Sequence, residues 1–433
     1  MSTTLAQLQQ SMHSVRDARE RRLPQRSADA IIAALAETAR SWLAPTSPWR
    51  IRAIEQAPAA TGFSPAMIQE IIDLTFGSIT AETLGQLLDR ELGNRQVLDT
   101  FCEQNGRRTR AHGPRLIAHV LAGNVPPPGI LSICCGLLVK AANVVKVARR
   151  DPVFPTLFVE SLRAVDPDLA SCVAVLDWPR QETAQTAMLL GEADAVIAYG
   201  DDRTIGTLRQ MTLAQVTFLG YGHKISFSML TREAMTEQDL PALAEAAAYD
   251  VSVYDQQGCL SPHVIYVEER GPLGPRKFAA ALAQAMGSLQ LRLPRGTLTA
   301  EEAAAITQMR SAYEFRSASD RRIAVWSSPI PNDWTVIYED DPSFTPSCLN
   351  RVVFVKPTDG VERVLESVRR FASQISTVGV APLDEGVPGF ASELAAMGIH
   401  RVCAIGQMQR PPLSWPHDGR PNLVALVRWT DIG

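Results

Sequence analysis

One cysteine of this chain, Cys259, lies in a segment where its thiol could act as a covalent nucleophile. Cys259 follows Gly258 and precedes the small polar pair Ser261-Pro262, shortly after an Ala-rich helical segment at 240–249. Apolar residues resume at 263–267, as expected for a strand. A thiol in such a turn is open to close approach by backbone and by substrate. Because thiolates attack thioesters and carbonyls readily, Cys259 is the candidate nucleophile, although a free cysteine is more often a small buried apolar residue.

Composition narrows the class of protein. The 433 residues are enough for two or three domains, and 46% hydrophobic with 20% charged residues is ordinary for a globular chain. A net charge of −4 argues against nucleic acid or an anionic membrane surface as the main partner. Seven cysteines without metal-ligand spacing indicate a reducing compartment and no metal site. With no signal peptide and no run of about 18 apolar residues, we expect a cytoplasmic protein.

The spacing of apolar residues along the chain predicts the helices and strands that must position Cys259. Residues 1–95 read as helical, with segments at 28–37 and 64–73, and 96–118 as a hairpin around Asn105-Gly106. From 116 onward, strands alternate with helices, which predicts βαβ units and a parallel sheet. The predicted strands are 116–122, 143–148, 172–176, 194–199, 215–219, 264–267, 323–326, 336–338, 352–355, 378–381, 401–405 and 423–429.

Ligands of parallel sheets bind at the carboxyl ends of the strands. The residues that follow the first strands are therefore the candidate binding residues. They are 123–124, 146–149, 200–203 and 220–224.

Five motifs follow one another at these strand ends and at the cysteine. They are Leu121-Ala122-Gly123-Asn124-Val125-Pro126, Lys146, Tyr199-Gly200-Asp201-Asp202, Gly222-His223-Lys224 and Gln256-Gln257-Gly258-Cys259. The order resembles that of the acyl-CoA reductases, the family of the fatty acyl reductase of bacterial bioluminescence and a branch of the aldehyde dehydrogenase superfamily. The resemblance extends from about residue 95 to the C-terminus, including 411–420. It implies a Rossmann-type cofactor domain, a second α/β catalytic domain and a bridging oligomerisation element.

The resemblance also implies domain limits and catalytic roles. A helical part at 1–95 precedes a bridging hairpin at 96–118, a dinucleotide-binding domain at 119–248, a catalytic domain at 249–410 and a bridging strand at 411–433. Cys259 is then the nucleophile. The side-chain amide of Asn124 and the Cys259 N–H form an oxyanion hole. For Asn124 alone, a turn-forming loop residue is the alternative interpretation.

A nicotinamide dinucleotide is the implied cofactor. Ala122 and Gly123 lie in the loop that contacts it, and Lys146 contacts the adenosine ribose. Arg149 replaces the glutamate common in NAD-dependent relatives, and an arginine pairs with a 2′-phosphate, which predicts NADPH. The alternative for Arg149 is a solvated arginine beside Arg150.

The helix start at 200–203 is the implied pyrophosphate site. Gly200, Asp202 and Arg203 are its candidate ligands. Two aspartates stand here in place of hydroxyl residues, which puts the individual contacts in doubt unless the carboxylates cap the helix.

Gly220 and Tyr221 complete the predicted cofactor site. Aldehyde-oxidising relatives carry a water-activating glutamate at the position of Gly220. Its absence argues against release of a free acid. The resemblance therefore implies an NADPH-dependent reductase that converts an acyl thioester, on CoA or a carrier protein, to the aldehyde. It further implies a homo-oligomer and a partner ligase that transfers acyl groups.

Two other classes of protein stay open at this stage. One is a cofactor-independent acyltransferase or thioesterase that uses Cys259 with His417-Asp418. The other is a non-catalytic acyl-binding subunit.

Overall fold

The computed structural model describes residues 2–104, 106–383 and 387–433, which form two compact units. The first contains the residues up to Thr61, Ile68–His223 and Pro412–Gly433, and the second contains Gly62–Met67 and Lys224–Pro411. The main boundary lies at 223/224 rather than at the 248/249 expected from the sequence. The difference arises because a strand that starts at Ile225 belongs to the sheet of the second unit.

Five helices begin the chain, as the apolar periodicity predicts. They are α1 (Leu5–Arg22), α2 (Ala28–Leu43), α3 (Pro48–Thr61), α4 (Pro65–Gly77) and α5 (Ala81–Leu92). Ser64 Oγ accepts a hydrogen bond from the Met67 N–H at 3.1 Å and so caps the helix that begins at Pro65. A 3₁₀ turn at Arg95–Leu98 follows, and then an antiparallel hairpin of β1 (Cys102–Gln104) and β2 (Arg107–His112). Asn105 of the predicted turn lies outside the described residues.

A parallel five-stranded sheet forms the centre of the first unit. Its strands are β3 (Leu116–Val120), β4 (Ala142–Lys146), β5 (Val173–Leu176), β6 (Ala195–Tyr199) and β7 (Thr217–Tyr221). They are connected by α6 (Pro127–Leu138), α7 (Val153–Val165), α8 (Pro167–Ala170), α9 (Thr183–Glu192) and α10 (Asp202–Met211). The spatial order is β5-β4-β3-β6-β7, so the connections reverse direction between β3 and β6. This reversal is the topological switch point at which such sheets bind ligands.

The second unit is built on a seven-stranded sheet. Its elements are β8 (Ile225–Leu230), α11 (Leu240–Ser252), β9 (Pro262–Glu268), α12 (Pro275–Arg292), α13 (Ala300–Ser317), β10 (Ile323–Ser327), β11 (Thr335–Glu339), β12 (Val352–Thr358), α14 (Val361–Val368), β13 (Ile375–Ala381), α15 (Val387–Ala396) and β14 (Arg401–Ala404). The order is β10-β11-β12-β9-β8-β13-β14, with β10 antiparallel and the others parallel.

One central strand was not predicted from the sequence. Ser226 and Ser228 interrupt the apolar pattern of β8, yet all six of its residues are buried. The strand lies between β9 and β13, where both of its edges are hydrogen-bonded. Tertiary pairing thus outweighs the weak local signal.

The C-terminal strand lies later than predicted. The last strand, β15 (Arg428–Ile432), pairs with β2 and completes a three-stranded antiparallel sheet. The prediction of a strand at 423–429 was wrong for 423–427, because the carboxylate of Glu91 binds the backbone at the start of that segment. Glu91 accepts hydrogen bonds from the backbone N–H groups of Asn422, Leu423 and Val424 at 2.8, 2.6 and 3.1 Å. Among the described residues, no helix has both the length and the apolar character that a membrane crossing requires.

Candidate active site

The loop after β3 lies against the turn that follows β4. The Leu121 N–H donates to the Lys146 carbonyl at 3.0 Å. A Cβ atom on Gly123 would lie 2.7 Å from Arg150 Cβ, so only glycine fits without displacing that turn. Ala122 is half-buried, and Asn124 is exposed. The structure therefore brings two of the predicted cofactor-binding stretches together.

The end of β4 contributes Lys146 and Arg149. Burial lowers the pKa of the Lys146 ammonium, and Asp177 partly opposes this effect. Arg149 is exposed in a tight turn that a bridge between Ala148 and Asp151 closes. Burial also raises the pKa of Asp151 to about 7. Arg149 therefore lies exposed in the turn after β4, at the carboxyl edge of the sheet.

The start of α10 explains the two aspartates that replace hydroxyl residues. Asp201 is the N-cap, and its carboxylate accepts from the Thr204 N–H at 2.6 Å, which lowers the pKa of Asp201. The Asp202 carboxylate accepts from the His223 N–H at 3.2 Å. Both carboxylates are therefore engaged by backbone, but only that of Asp201 caps the helix. Arg203 is exposed on the first turn of the helix.

Gly200 connects this helix start to β7. Its N–H donates to the Tyr221 carbonyl at 3.2 Å. Gly220 and Tyr221 belong to β7 itself, although the sequence analysis placed them in the loop after the strand. A Cβ atom on Gly220 would lie 2.7 Å from both Ile205 Cγ2 and Phe218 Cε1. A larger residue at this position would therefore have to displace the side chain of Ile205 or Phe218, where α10 packs on the sheet.

An aromatic stack that the sequence analysis did not find covers the ends of β6 and β7. The rings of Tyr199 and Tyr221 stack at 5.0 Å, and Tyr221 stacks on His417 at 4.3 Å. Trp415 follows at 5.3 Å from His417. Burial lowers the pKa of His417, so the imidazole is neutral at pH 7. The segment at 415–417 is thereby fixed on the first unit by ring contacts.

Behind this stack lies a buried polar chain. His119 Nδ1 lies 2.7 Å from Ser132 Oγ, and His119 Nε2 lies 2.8 Å from Asn143 Oδ1. Because Asn143 Nδ2 donates to the Ala141 carbonyl, Asn143 Oδ1 is the acceptor and Nε2 of His119 carries the proton. Burial lowers the pKa of His119 to about 4.

Cys259 lies in the turn before β9. It is half-buried, and its carbonyl accepts from Ser226 Oγ at 2.8 Å. Ser261, at the end of the turn, lies 3.0 Å from the amide Nε2 of Gln409, which also donates to the Asp250 carbonyl at 2.8 Å. Side chains from two other segments, Ser226 and Gln409, therefore hold the turn that contains this thiol.

Five of the other six cysteines have a thiol whose pKa is raised by burial. Burial raises the pKa of Cys135 to about 12 and raises that of Cys134 well above its usual value. It raises the pKa of Cys172, Cys348 and Cys403 to about 11. Thiolates are scarce at these positions near neutral pH, which makes them poor nucleophiles.

The two histidines beside the predicted motifs have different environments. His263 is buried, and its Nδ1 accepts from the Ser347 N–H at 3.1 Å, which is a structural role. His223 is exposed. Within the described ranges, no group of three His, Cys, Asp or Glu residues is arranged to hold a metal ion.

A polar cavity of about 390 Å³ lies at the opposite edge of the first unit's sheet. Residues that precede β3, β6 and β7 line it, among them Arg115, Asp194 and Gln215. Arg16 and Glu192 form an ion pair at 2.7 Å in its wall. The cavity is thus at the amino ends of the strands, away from the predicted site residues.

The sequence is similar to a defined family of reductases. The family model "Acyl-CoA reductase (LuxC)" matches residues 23–429. The "Long-chain acyl-protein thioester reductase" of Aliivibrio fischeri is 26% identical over 355 residues, which cover 80% of this chain and 70% of that protein. The protein of the same description from Vibrio harveyi is 27% identical over 374 residues, covering 85% of this chain and 75% of that one.

Solved structures share the fold at low sequence identity. Aldehyde dehydrogenase 21 from Physcomitrella patens superposes with a TM-score of 0.74 at 11% identity, covering 100% of this chain and 91% of that one. An NAD-dependent benzaldehyde dehydrogenase from Corynebacterium glutamicum gives a TM-score of 0.70 at 13% identity with the same coverage. The predicted α/β architecture is confirmed: the chain has the aldehyde dehydrogenase fold and belongs to the acyl-CoA reductase (LuxC) family.

Proposed function

We propose that this protein reduces an acyl thioester to the aldehyde with NADPH, through a thioacyl intermediate on Cys259. The observation that carries the proposal is the placement of Cys259. It is a half-buried thiol in a turn held by Ser226 and Gln409, in a chain of the acyl-CoA reductase family. Burial raises the pKa of five of the other six thiols, which makes those five poor nucleophiles.

The chemistry at Cys259 consists of one exchange and one reduction. The Cys259 thiolate attacks the thioester carbonyl carbon, and the donor thiolate leaves with the bonding electron pair of the broken C–S bond. When bound, the nicotinamide supplies the hydride that the acyl carbon accepts. The resulting thiohemiacetal collapses to the aldehyde and restores the Cys259 thiolate. One proton is consumed per turnover, because the departing donor thiolate is protonated.

Asn124 and the Cys259 N–H are the proposed donors to the carbonyl oxygen. Negative charge develops on that oxygen in both steps. A donor already aimed at the oxygen stabilises the transition state by about 3–4 kcal/mol. Asn124 is exposed at the carboxyl end of β3, on the edge of the sheet where ligands bind.

The residues at the switch point fit a dinucleotide. Gly123 and Gly200 lack the side chains that would obstruct backbone approach, and α10 begins directly after Gly200-Asp201. Asp201 and Asp202 are exposed, and each carboxylate accepts one backbone N–H, from Thr204 and His223 respectively. Lys146 and the exposed Arg149 supply positive charge, and Arg149 is the proposed partner of the 2′-phosphate. Ala122, Asp202, Arg203, Gly220 and Tyr221 form the rest of the proposed cofactor site.

The glycine at position 220 supports reduction over hydrolysis. It carries no side chain, so this position supplies no water-activating carboxylate. A thioacyl enzyme without a water-activating base persists long enough to be reduced.

The acyl donor, the partner proteins and the oligomeric state are proposed by analogy with the relatives. The relatives are described as acting on acyl-protein thioesters and the family as acyl-CoA reductases, so both donors are candidates here. We further propose a partner ligase that delivers acyl groups, a homo-oligomer in which the β1-β2-β15 sheet bridges subunits, and a cytoplasmic location. Nucleic acid and an integral membrane are not among the proposed partners.

The test is NADPH oxidation with a panel of acyl-CoAs of different chain length and an acylated carrier protein. We expect aldehyde to form in step with NADPH loss, and Cys259→Ala to abolish both. Cys348→Ala is the matched control, because Cys348 is also half-buried but has a raised pKa. Acylation of Cys259 without NADPH binding would favour the acyltransferase alternative, whereas no acylation at all would refute the proposal.

A further inference from the structure

Two short left-handed segments lie next to each other in the second unit. Tyr254, Asp255 and Gln256 have φ values of 57°, 49° and 64°, in the segment that leads to Cys259 and β9. The three residues at 349–351 have φ values of 63°, 56° and 64°, directly before β12. Strands β9 and β12 are parallel neighbours. Each L-residue in this conformation costs about 1–2 kcal/mol, so the surroundings must impose it.

A buried ion pair joins the two segments. Arg351, 1% exposed, donates from Nε to Asp255 Oδ1 at 2.8 Å. Its Nη1 donates to Gln290 Oε1 at 2.8 Å and to the Leu293 carbonyl at 2.9 Å. Asp255 Oδ2 accepts from the Gly296 N–H at 3.0 Å. The guanidinium therefore holds Asp255 from one side while backbone holds it from the other.

Gln256 connects this ion-paired segment to the turn that contains Cys259. Its Nε2 donates to the carbonyls of Pro262 and Val352, both at 2.9 Å, and its Oε1 accepts from the Val352 N–H at 3.0 Å. The bond to Pro262 closes the turn at 256–262, with Cys259 at its centre. A second link runs from Gln257 Nε2 to Asn350 Oδ1 at 3.1 Å.

We propose that Arg351 and Asn350 are positioning residues for Cys259: Arg351 acts through Asp255 and the left-handed segment at 254–256, and Asn350 acts through Gln257. Gln256 can close the Cys259 turn only while that segment keeps its left-handed backbone, and the Arg351–Asp255 pair keeps it there. The pair thereby sets the direction of the thiol and of the Cys259 N–H. This inference rests on the proposed function, because it assigns a purpose to the backbone conformation around the nucleophile.

The test compares Arg351→Met with Lys356→Met in single-turnover acylation by an acyl thioester without NADPH. Lys356 is the matched control: it is fully buried on β12 and forms an ion pair with Glu339 at 2.9 Å. Both variants lose a buried cation and lose stability. For Arg351→Met we expect the acylation rate at saturating substrate to fall about 100-fold, with little change in half-saturation, because a small misplacement of a reacting group has that effect. Lys356→Met should acylate within about 3-fold of wild type, since its ion pair makes no link to the Cys259 turn.

A milder variant keeps the test decisive if Arg351→Met does not fold. Asn350→Gly retains the left-handed backbone and removes only the bond from Gln257, so we expect about a 5-fold slower acylation. Equal rates for Arg351→Met and Lys356→Met, or a wild-type rate for Asn350→Gly, would overturn the positioning role. Wild-type protein that is not acylated on Cys259 would instead refute the proposed function. NADPH binding, measured by fluorescence, should be unchanged in all three variants.

Discussion

Replacing His119 by glutamine should change how stability depends on pH. The imidazole is buried between Ser132 and Asn143, and burial lowers its pKa from 6.5 to about 4. Glutamine also carries a donor and an acceptor but does not titrate in this range. Above pH 6.5 His119 is neutral in both the folded and the unfolded chain. As the pH falls below 6.5, only the unfolded chain takes up the proton, so the folded state loses stability until about pH 4.

The size of the effect follows from the same two pKa values. A pKa that falls from 6.5 to about 4 on folding corresponds to about 3 kcal/mol of lost stability at pH 4. Asp151 and Asp250, whose pKa values burial raises to about 7, act in the opposite direction. They are common to both proteins, so their contributions cancel in the difference.

The assay is urea unfolding of wild type and His119→Gln at several pH values from 7.5 to 4, with hydrogen exchange in β3 as a local reading. We expect the free energy of unfolding of wild type, relative to the variant, to decline by about 3 kcal/mol across this range. A difference that stays constant with pH would show that His119 does not titrate as its burial requires, and would refute the reasoning.

Three further outcomes are expected from single substitutions. Trp42 is fully buried, stacks on Phe76 at 4.2 Å and donates to Ser161, so Trp42→Ala should cost about 3–5 kcal/mol in urea unfolding. Phe315→Ala, at a residue 82% exposed, should cost much less, and equal losses would contradict the core role of Trp42. Arg149→Glu should lower the ratio of kcat/KM for NADPH to kcat/KM for NADH by at least about 10-fold in initial-rate measurements, because the carboxylate repels a 2′-phosphate. An unchanged ratio would show that Arg149 does not belong to the cofactor site. Gly220→Glu should destabilise the protein by about 1–3 kcal/mol in thermal unfolding without creating acid release, because the new side chain meets α10 rather than water.

The parallel sheet of the first unit was predictable because its signals are local. Each strand from 116 to 219 is a short apolar run followed by a helical period, and all five appear in the structure within a few residues of the predicted bounds. The site candidates at the strand ends follow from that alternation, since parallel strands present their carboxyl ends at one edge. The resemblance to the acyl-CoA reductases added the roles of these residues, and the family membership is confirmed.

The missed strand β8 and the wrong strand prediction at 423–427 have the same physical cause. Strand β8 carries two serines and little local signal, and it exists because two neighbouring strands hydrogen-bond to it. The segment at 423–427 looks like a strand but is bent by Glu91, a residue far earlier in the chain. In both cases a partner distant in sequence supplies more free energy than the local preference does.

The sequence alone thus predicted the parallel sheet of the first unit and the candidate nucleophile, because periodicity and residue type are properties of neighbouring residues. The tertiary structure alone decided that His119 meets Asn143, that His417 stacks on Tyr221 and that Arg351 holds Asp255. These contacts join residues that only the packed chain brings together. No local pattern indicates three consecutive left-handed residues without glycine, because such a backbone is unfavourable until long-range contacts hold it.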